Sequence, residues 1–232
     1  MNQKMPAYRR HFFSWKSYTA PMDNSLTHYQ RLLGFFALAT GNPAPLAHPD
    51  PLINSFARDM AALREAAVLL PITREAPGQE SELVLTIRSE NLKTHAGQIS
   101  LPGGSREAQD PDIVATALRE SREEIGVLEE QVQVIGRMGE LPVPSGFRVT
   151  PIVGLIDTGQ SFTACPIEVA DIFRVPLSLV LEPQNYRHGE MQIEGKPRRI
   201  LELFYEDYRI WGATAAILHH LATAISENRS GD

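Results

Sequence analysis

The chain has 232 residues, a net charge of −6, and 43% hydrophobic and 22% charged residues, the composition of an ordinary soluble globular protein. That length suits one domain of moderate size, or a domain with an extension. The acidic balance argues against sequence-independent nucleic-acid binding, no apolar run approaches the roughly 20 residues that cross a bilayer, and the single cysteine, Cys165, excludes an intramolecular disulfide framework.

The first 22 residues carry Lys4, Arg9, Arg10 and Lys16 and no acid, with Tyr8, Phe12, Phe13, Trp15 and Tyr18 interleaved. Lacking an apolar h-region, they do not form a secretory signal, although their composition is compatible with an organellar presequence. A basic arm lying on its own acidic domain or on a partner subunit is the plainer reading, and it leaves room for a homodimer. The lone thiol fits a reducing compartment, so a cytoplasmic location is expected. Residues 25–39 are predicted to form a helix with Leu26, Tyr29, Leu32, Leu33 and Phe36 on one face. Gly41-Asn42-Pro43-Ala44-Pro45 breaks it, and residues 54–67 form a second helix. These features set an N-terminal extension, 1–54, before a main domain, 55–232.

Strands are expected at 67–73 and 83–87, with a short one at 99–101 that runs into Pro102-Gly103-Gly104. Two adjacent glycines let the backbone take positive φ and approach another group, although a glycine pair after a strand is also a common turn. The next helix starts with Asp110 as N-cap and Pro111 in the first position, and Gly126 stands just past its end. Val114, Ala117, Leu118, Ser121 and Ile125 make a narrow apolar stripe, with Glu120, Glu123 and Glu124 expected to point away from it. Carboxylates at i, i+3 and i+4 repel one another unless a cation lies between them, and hard divalent ions choose carboxylate oxygen. Taken alone, such a face also describes a solvated helix with ordinary Glu/Arg pairs.

Strands follow at 132–136, with Gln133 outward, and at 149–156. Residues 169–173 lead into Val175-Pro176-Leu177, where the proline demotes the run to an edge or a loop. Residues 190–193 and 200–205 form a hairpin around Gly195-Lys196, and 214–226 form a closing helix on which His219 and His220 face solvent. Cys165, with no histidine near it in sequence, is a structural thiol. The alternation supports an α/β or α+β class.

Residues 103–127 resemble the Nudix box: a glycine, five residues, an acid, seven residues, then Arg-Glu-apolar-x-Glu-Glu-x-Gly-apolar. Residues 119–127, from Arg119-Glu120 to Gly126-Val127, match its second half apart from Ser121 at the first apolar slot. In the first half Asp110 stands for the glutamate and eight residues separate it from Arg119, which leaves the first acid without an assigned role. The preceding residues 85–104, with Leu85-Thr86-Ile87-Arg88-Ser89, Lys93, His95, Gly97-Gln98 and Pro102-Gly103-Gly104, are similar to the extra signature of the coenzyme A pyrophosphatase branch. Thr116-Ala117-Leu118-Arg119-Glu120, Gly146 to Pro151, Glu168-Val169-Ala170, Val175-Pro176-Leu177 and Ile210-Trp211-Gly212-Ala213-Thr214-Ala215 continue the likeness, which spans about residues 55 to 225.

The resemblance implies an α/β/α sandwich around a mixed β-sheet and a hydrolase dependent on Mg²⁺ or Mn²⁺. Its small-molecule substrate would be coenzyme A or an acyl derivative, cut at the pyrophosphate to 3′,5′-ADP and (acyl-)4′-phosphopantetheine. Glu120, Glu123 and Glu124 are the expected metal ligands, with Arg119 holding Glu123 or another carboxylate. Glu124 and Glu168 are the candidate general bases, and Glu168 serves equally as a cap for the next element. Arg88, Lys93, His95, Gly103 and Gly104 are candidates for the substrate phosphates, and Phe147 and Arg148 for the same pocket; each charge also suits a solvated loop. A Nudix hydrolase for ADP-ribose, NADH or a nucleotide sugar is the nearest rival, and a non-catalytic nucleotide sensor is the rival of another class. A sensor would have no use for mutually repelling acids.

Overall fold

The computed structural model describes residues 26–39, 41–56, 60–193 and 195–228; the basic arm and Ser25 lie outside them. Helix α1, His28–Leu38, is closed by a capping box in which the Thr27 hydroxyl accepts from the Gln30 amide and the Gln30 side chain accepts from the Thr27 amide. Leu32 is fully buried, and Tyr29, Leu33 and Phe36, joined by Phe35, pack on the main core.

Among the described residues the helix expected over 54–67 does not form. Helix α2, Pro51–Phe56, is short, a single 3₁₀ turn spans Met60–Ala62, and strand β1 begins at Arg64 and runs to Thr73. Burial explains the difference. Ala66, Leu70 and Ile72 face one core cluster while Ala67 and Leu69 face another, a period of two that only a strand satisfies.

The main sheet contains β1, β2 (Glu82–Arg88), β3 (Ile99–Ser100), β4 (Gly103–Ser105), β5 (Gln133–Arg137), β6 (Leu141–Val143), β7 (Phe147–Ile156) and β8 (Val169–Pro176). Its order is β3-β2-β1-β7-β5, with β4 on β1, β6 on β7 and β8 on β2. β1 and β7 run parallel from Arg64 opposite Phe147 to Thr73 opposite Ile156, and the other pairs are antiparallel. Each central strand changes neighbour along its outer side: β1 pairs β4 at Ala66 to Val68 and β2 at Ile72, and β7 pairs β6 up to Val149 and β5 from Ile152. Pro71 and Pro151 sit in those gaps, where a missing N–H breaks no ladder. Pro176 ends β8, whose pairing with β2 alone makes it the expected edge strand.

Helix α3, Ile113–Ile125, covers one face of the sheet through Ala117 and Leu118. The other face is covered by α1, α4 (Leu177–Val180) and α5 (Gly212–Glu227), together with an antiparallel sheet of β9 (Arg187–Ile193), β10 (Lys196–Tyr205) and β11 (Tyr208–Trp211). The result is an α/β/α sandwich around a mixed sheet. Gly195, at φ 72°, turns the β9–β10 hairpin. His219 and His220 are half-buried rather than free on the surface: His219 meets the Tyr186 ring edge-on at 5.1 Å, and His220 Nε2 lies 2.6 Å from the Ala47 carbonyl oxygen. Among the described residues no helix is long and apolar enough to cross a membrane.

Candidate active site

Asp112, not Asp110, caps α3: its Oδ1 accepts from the Ala115 amide at 2.8 Å, and Gly126 ends the helix in the left-handed region as expected. Asp110 is turned inward instead. Its carboxylate takes Arg119 Nε at 2.9 Å and Nη2 at 3.0 Å, the Thr116 hydroxyl at 3.0 Å and the Glu107 amide at 2.9 Å. The Arg119 hydrogen bonds hold its pKa down to about 2. The displaced first acid of the box therefore has a role that spacing did not reveal: it anchors Arg119.

Arg119 distributes that anchorage. It also donates to the Ser105 carbonyl at 3.0 Å, Glu120 Oε1 at 3.0 Å and Glu123 Oε2 at 3.3 Å. Glu123, half exposed, shares Arg119 Nη1 with Glu120 and also approaches Arg122 at 3.8 Å. Glu120 is largely buried, and Glu124 more so at 2% exposure. The expectation that all three acids point away from the apolar stripe is corrected at Glu124. It follows Ala117 by seven residues, almost two full turns, and so shares that buried face.

The glycine pair explains how two acids fit there. Gly103 and Gly104 form a strand, β4, rather than an open phosphate-binding turn, and pair with Val68 and Ala67. The Gly103 amide donates to Glu124 Oε2 at 3.0 Å, so its N–H is already engaged. At φ 153°, with a Cβ that would stand 2.3 Å from the Ala67 carbonyl oxygen, position 103 admits only glycine. A Cβ at 104 would stand 2.6 Å from the Glu120 carboxyl carbon and Oε1. The side chain absent at 104 is the space that the Glu120 carboxylate occupies, whereas the one absent at 103 lets β4 lie close against Ala67 and Val68 of β1 and aim its N–H at Glu124.

Burial pushes the Glu124 pKa up to about 7 against the Gly103 hydrogen bond and Arg88, with Glu120 and Glu168 repelling its charge. Burial also raises Glu120, opposed by Arg119 and assisted by Glu123 and Glu168. Arg88 Nη1 approaches Glu124 Oε1 only to 3.8 Å, and Arg88 Nε is buried with no hydrogen-bond partner among the described residues. Glu168 is brought in by backbone: Cys165 N–H donates to the Glu124 carbonyl at 2.9 Å, Thr163 N–H to Ile125 at 3.0 Å, and Ser89 N–H to the Glu168 carbonyl at 2.8 Å. Among the described residues no three acidic, histidine or cysteine groups already converge as a finished metal site. Even so, the donor chemistry fits a divalent cation. Two buried carboxylates and a third nearby repel one another, and oxygen-only ligands are what hard cations take.

The remaining candidates divide. Lys93 and His95 stand exposed on the loop between β2 and β3, where His95 Nδ1 lies 2.9 Å from Gln98 Oε1. Phe147 lies under the Arg64 guanidinium at 4.0 Å, and Arg148 is held by Glu65 at 2.8 Å and Glu140 at 3.7 Å, although its Nε, like that of Arg88, is buried without a hydrogen-bond partner among the described residues. Cys165 is a half-buried free thiol. A cavity of about 710 Å³ lined by Thr27, His28, Tyr29, residues 75–81 and Leu177 lies at the opposite end of β2 from Arg88.

A model of the NUDIX domain matches residues 62–190. The chain belongs to the Nudix family. The Nudix hydrolase is 43% identical over 162 residues to "Uncharacterized Nudix hydrolase NudL" of Photorhabdus laumondii subsp. laumondii, covering 70% of this chain and 85% of the relative. It is 38% identical over 181 residues to the protein of the same name from Yersinia pestis, covering 78% and 89%. Among solved structures, a Caenorhabditis elegans Ap4A hydrolase binary complex aligns at 16% identity with a TM-score of 0.46, over 72% of this chain and 99% of that one. The Nudix hydrolase RenU of M. smegmatis aligns at 22% identity with a TM-score of 0.42, over 49% of this chain and 70% of that one. The protein is thus a hydrolase of nucleoside diphosphate-type compounds, in a family that generally uses divalent metals.

Proposed function

We propose that this Nudix hydrolase cleaves the pyrophosphate of coenzyme A or an acyl derivative with Mg²⁺ or Mn²⁺, releasing 3′,5′-ADP and (acyl-)4′-phosphopantetheine. The observation that carries the hydrolytic reading is Glu124: a carboxylate buried at 2% exposure, facing Glu120 and Glu168 with Arg88 held off at 3.8 Å. The substrate reading is supported by the likeness of residues 85–104 to the coenzyme A pyrophosphatase branch.

Glu120 and Glu124 would hold the cation, and Glu123 is the third candidate ligand. When bound, the cation neutralises phosphate charge and acidifies water. Glu168 accepts the proton of the attacking water: it is half-buried and, among the described residues, its carboxylate has no hydrogen-bond partner. Glu124 is the weaker candidate for that step because the Gly103 amide occupies it. Arg88 donates from its Nε, unpartnered among the described residues, to a phosphate oxygen, and Lys93 and His95 are further candidates for the substrate phosphates.

Purified protein is assayed with Mg²⁺ or Mn²⁺ against coenzyme A, ADP-ribose and NADH. Coenzyme A is expected to give the highest kcat/KM; far faster turnover of ADP-ribose overturns the substrate reading. Glu120→Gln and Glu124→Gln are expected to lower turnover by about a hundredfold or more, and Glu168→Gln to do so with metal affinity kept. Turnover within a few-fold of normal in the first two removes the metal site.

A further inference from the structure

Ile167 is 73% exposed, above Leu38 at 68% and Leu52 at 53% among the described large hydrophobic residues. A single exposed apolar side chain is ordinary on a soluble protein. The setting of this one is not. Glu168 N–H closes a turn onto the Cys165 carbonyl at 3.0 Å, which puts Pro166 and Ile167 at its two central positions. Proline pre-sets the first of these, whereas the second is one that turns fill with small or polar residues. A β-branched apolar residue there gains the fold nothing.

The turn is also rigidly placed. Its first residue is tied to the last turn of α3 through the Glu124 carbonyl, and its last residue to Ser89, the neighbour of Arg88. Ile167 is thereby held in solvent immediately beside Glu168, on a turn whose first residue is hydrogen-bonded to the backbone of Glu124 itself. An aliphatic, branched group offers no flat face for stacking and no hydrogen bond for a nucleobase edge. It suits an aliphatic chain.

We infer that Ile167 is a specificity-determining contact that receives the aliphatic arm of the substrate, on the far side of the diphosphate from the nucleoside. This rests on the reading of the site as a coenzyme A pyrophosphohydrolase. It adds a residue that selects arm-bearing substrates over arm-free ones.

The test compares Ile167→Ser, Ile167→Leu and the unaltered protein on coenzyme A, a short acyl-coenzyme A and ADP-ribose, with 4′-phosphopantetheine and 3′,5′-ADP as product inhibitors. Thermal melting of the variants checks that this exposed position leaves the fold intact. Ile167→Ser is expected to raise KM for both arm-bearing substrates by about tenfold with kcat nearly unchanged. It should weaken inhibition by 4′-phosphopantetheine, leave 3′,5′-ADP and ADP-ribose unaffected, and be rescued by Ile167→Leu. An equal rise in KM on ADP-ribose places Ile167 at the nucleoside half and overturns the inference, as does an unchanged KM on all three. If the unaltered protein cuts ADP-ribose but not coenzyme A, the substrate reading fails and takes the inference with it. If it cuts coenzyme A and Ile167→Ser does so equally well, the inference alone fails.

Discussion

Asp110 grips Arg119 with both carboxylate oxygens, Oδ1 to Nε at 2.9 Å and Oδ2 to Nη2 at 3.0 Å. Through Arg119 that one buried acid fixes Glu120, Glu123 and the Ser105 carbonyl, which joins the loop before α3 to the acids upon it. The fork has the planar, bidentate geometry that arginine and carboxylate favour, and little of it is exposed to solvent screening.

Asp110→Ala leaves a guanidinium buried among fewer partners. The expected loss is about 3 kcal/mol in urea unfolding, with metal affinity also reduced because Glu120 is no longer held. Asp110→Asn keeps the shape and should retain about half of that stability. The Asp110 pKa lies below its ordinary value, so its contribution is full above about pH 4 and disappears as the pH falls towards about 2. Asp110→Asn should flatten the acid limb of the stability curve; an unchanged limb refutes the anchor.

Much of this was legible in the chain and some was not, for identifiable reasons. β1, β2 and β7 are dense apolar runs, and α5 carries its stripe, so each is visible locally. β4 has almost no side chains to read, since Gly103-Gly104-Ser105 becomes a strand only because β1 offers an edge. Only the start of β1 is disguised: Leu63, Ala66 and Ala67 mimic helical spacing, and it is pairing with β7 from Arg64 onward that makes 64–66 part of the strand. Asp110 and Asp112 are equally good caps by type. The partner that separates them, Arg119, is a tertiary contact. Only the family likeness points to Glu168, since nothing in its own neighbourhood signals that the backbone carries its turn to α3.

The glycine pair predicts two different failures. Gly103→Ala meets backbone at 2.3 Å and needs a φ that alanine avoids, so it should cost about 3 kcal/mol or more and impair folding. Gly104→Ala instead meets the Glu120 carboxylate at 2.6 Å, which can swing away. It should fold, within about 1.5 kcal/mol of the parent, but bind Mn²⁺ at least about tenfold more weakly. Calorimetric titration with Mn²⁺ and thermal melting separate the two, and equal Mn²⁺ affinity in Gly104→Ala would remove the link between that glycine and the ligand set.

Glu124 couples pH to metal. Its folded-state pKa of about 7 stands above the ordinary 4.5, so below pH 4.5 both folded and unfolded chains are protonated and nothing is lost. As the pH rises from 4.5 to 7 the unfolded chain ionises first and metal-free stability falls, by on the order of 3 kcal/mol in all. Metal binding favours the ionised form. Titration with Mg²⁺ near pH 6 should therefore release protons, detectable as a dependence of the calorimetric heat on buffer ionisation enthalpy, and the release should vanish by about pH 8.5. Glu124→Gln should abolish both the release and the loss of stability; proton release that persists in Glu124→Gln assigns the effect to another group.

Arg88 is held out of full contact with Glu124, at 3.8 Å, and its Nε is buried without a partner among the described residues. An unmade bond to a buried charged donor is costly, and a phosphate oxygen arriving beside it removes that cost only in the complex. The fork matters here as well as the charge. Arg88→Lys keeps the positive charge but loses the planar pair of donors, so kcat/KM for coenzyme A should fall about tenfold or more, and Arg88→Ala should fall further. Binding of Mn²⁺ alone should be equal or tighter in Arg88→Ala, because a cation has left the neighbourhood of Glu124. Weaker Mn²⁺ binding with an unchanged KM would show that Arg88 supports the acids rather than the phosphate.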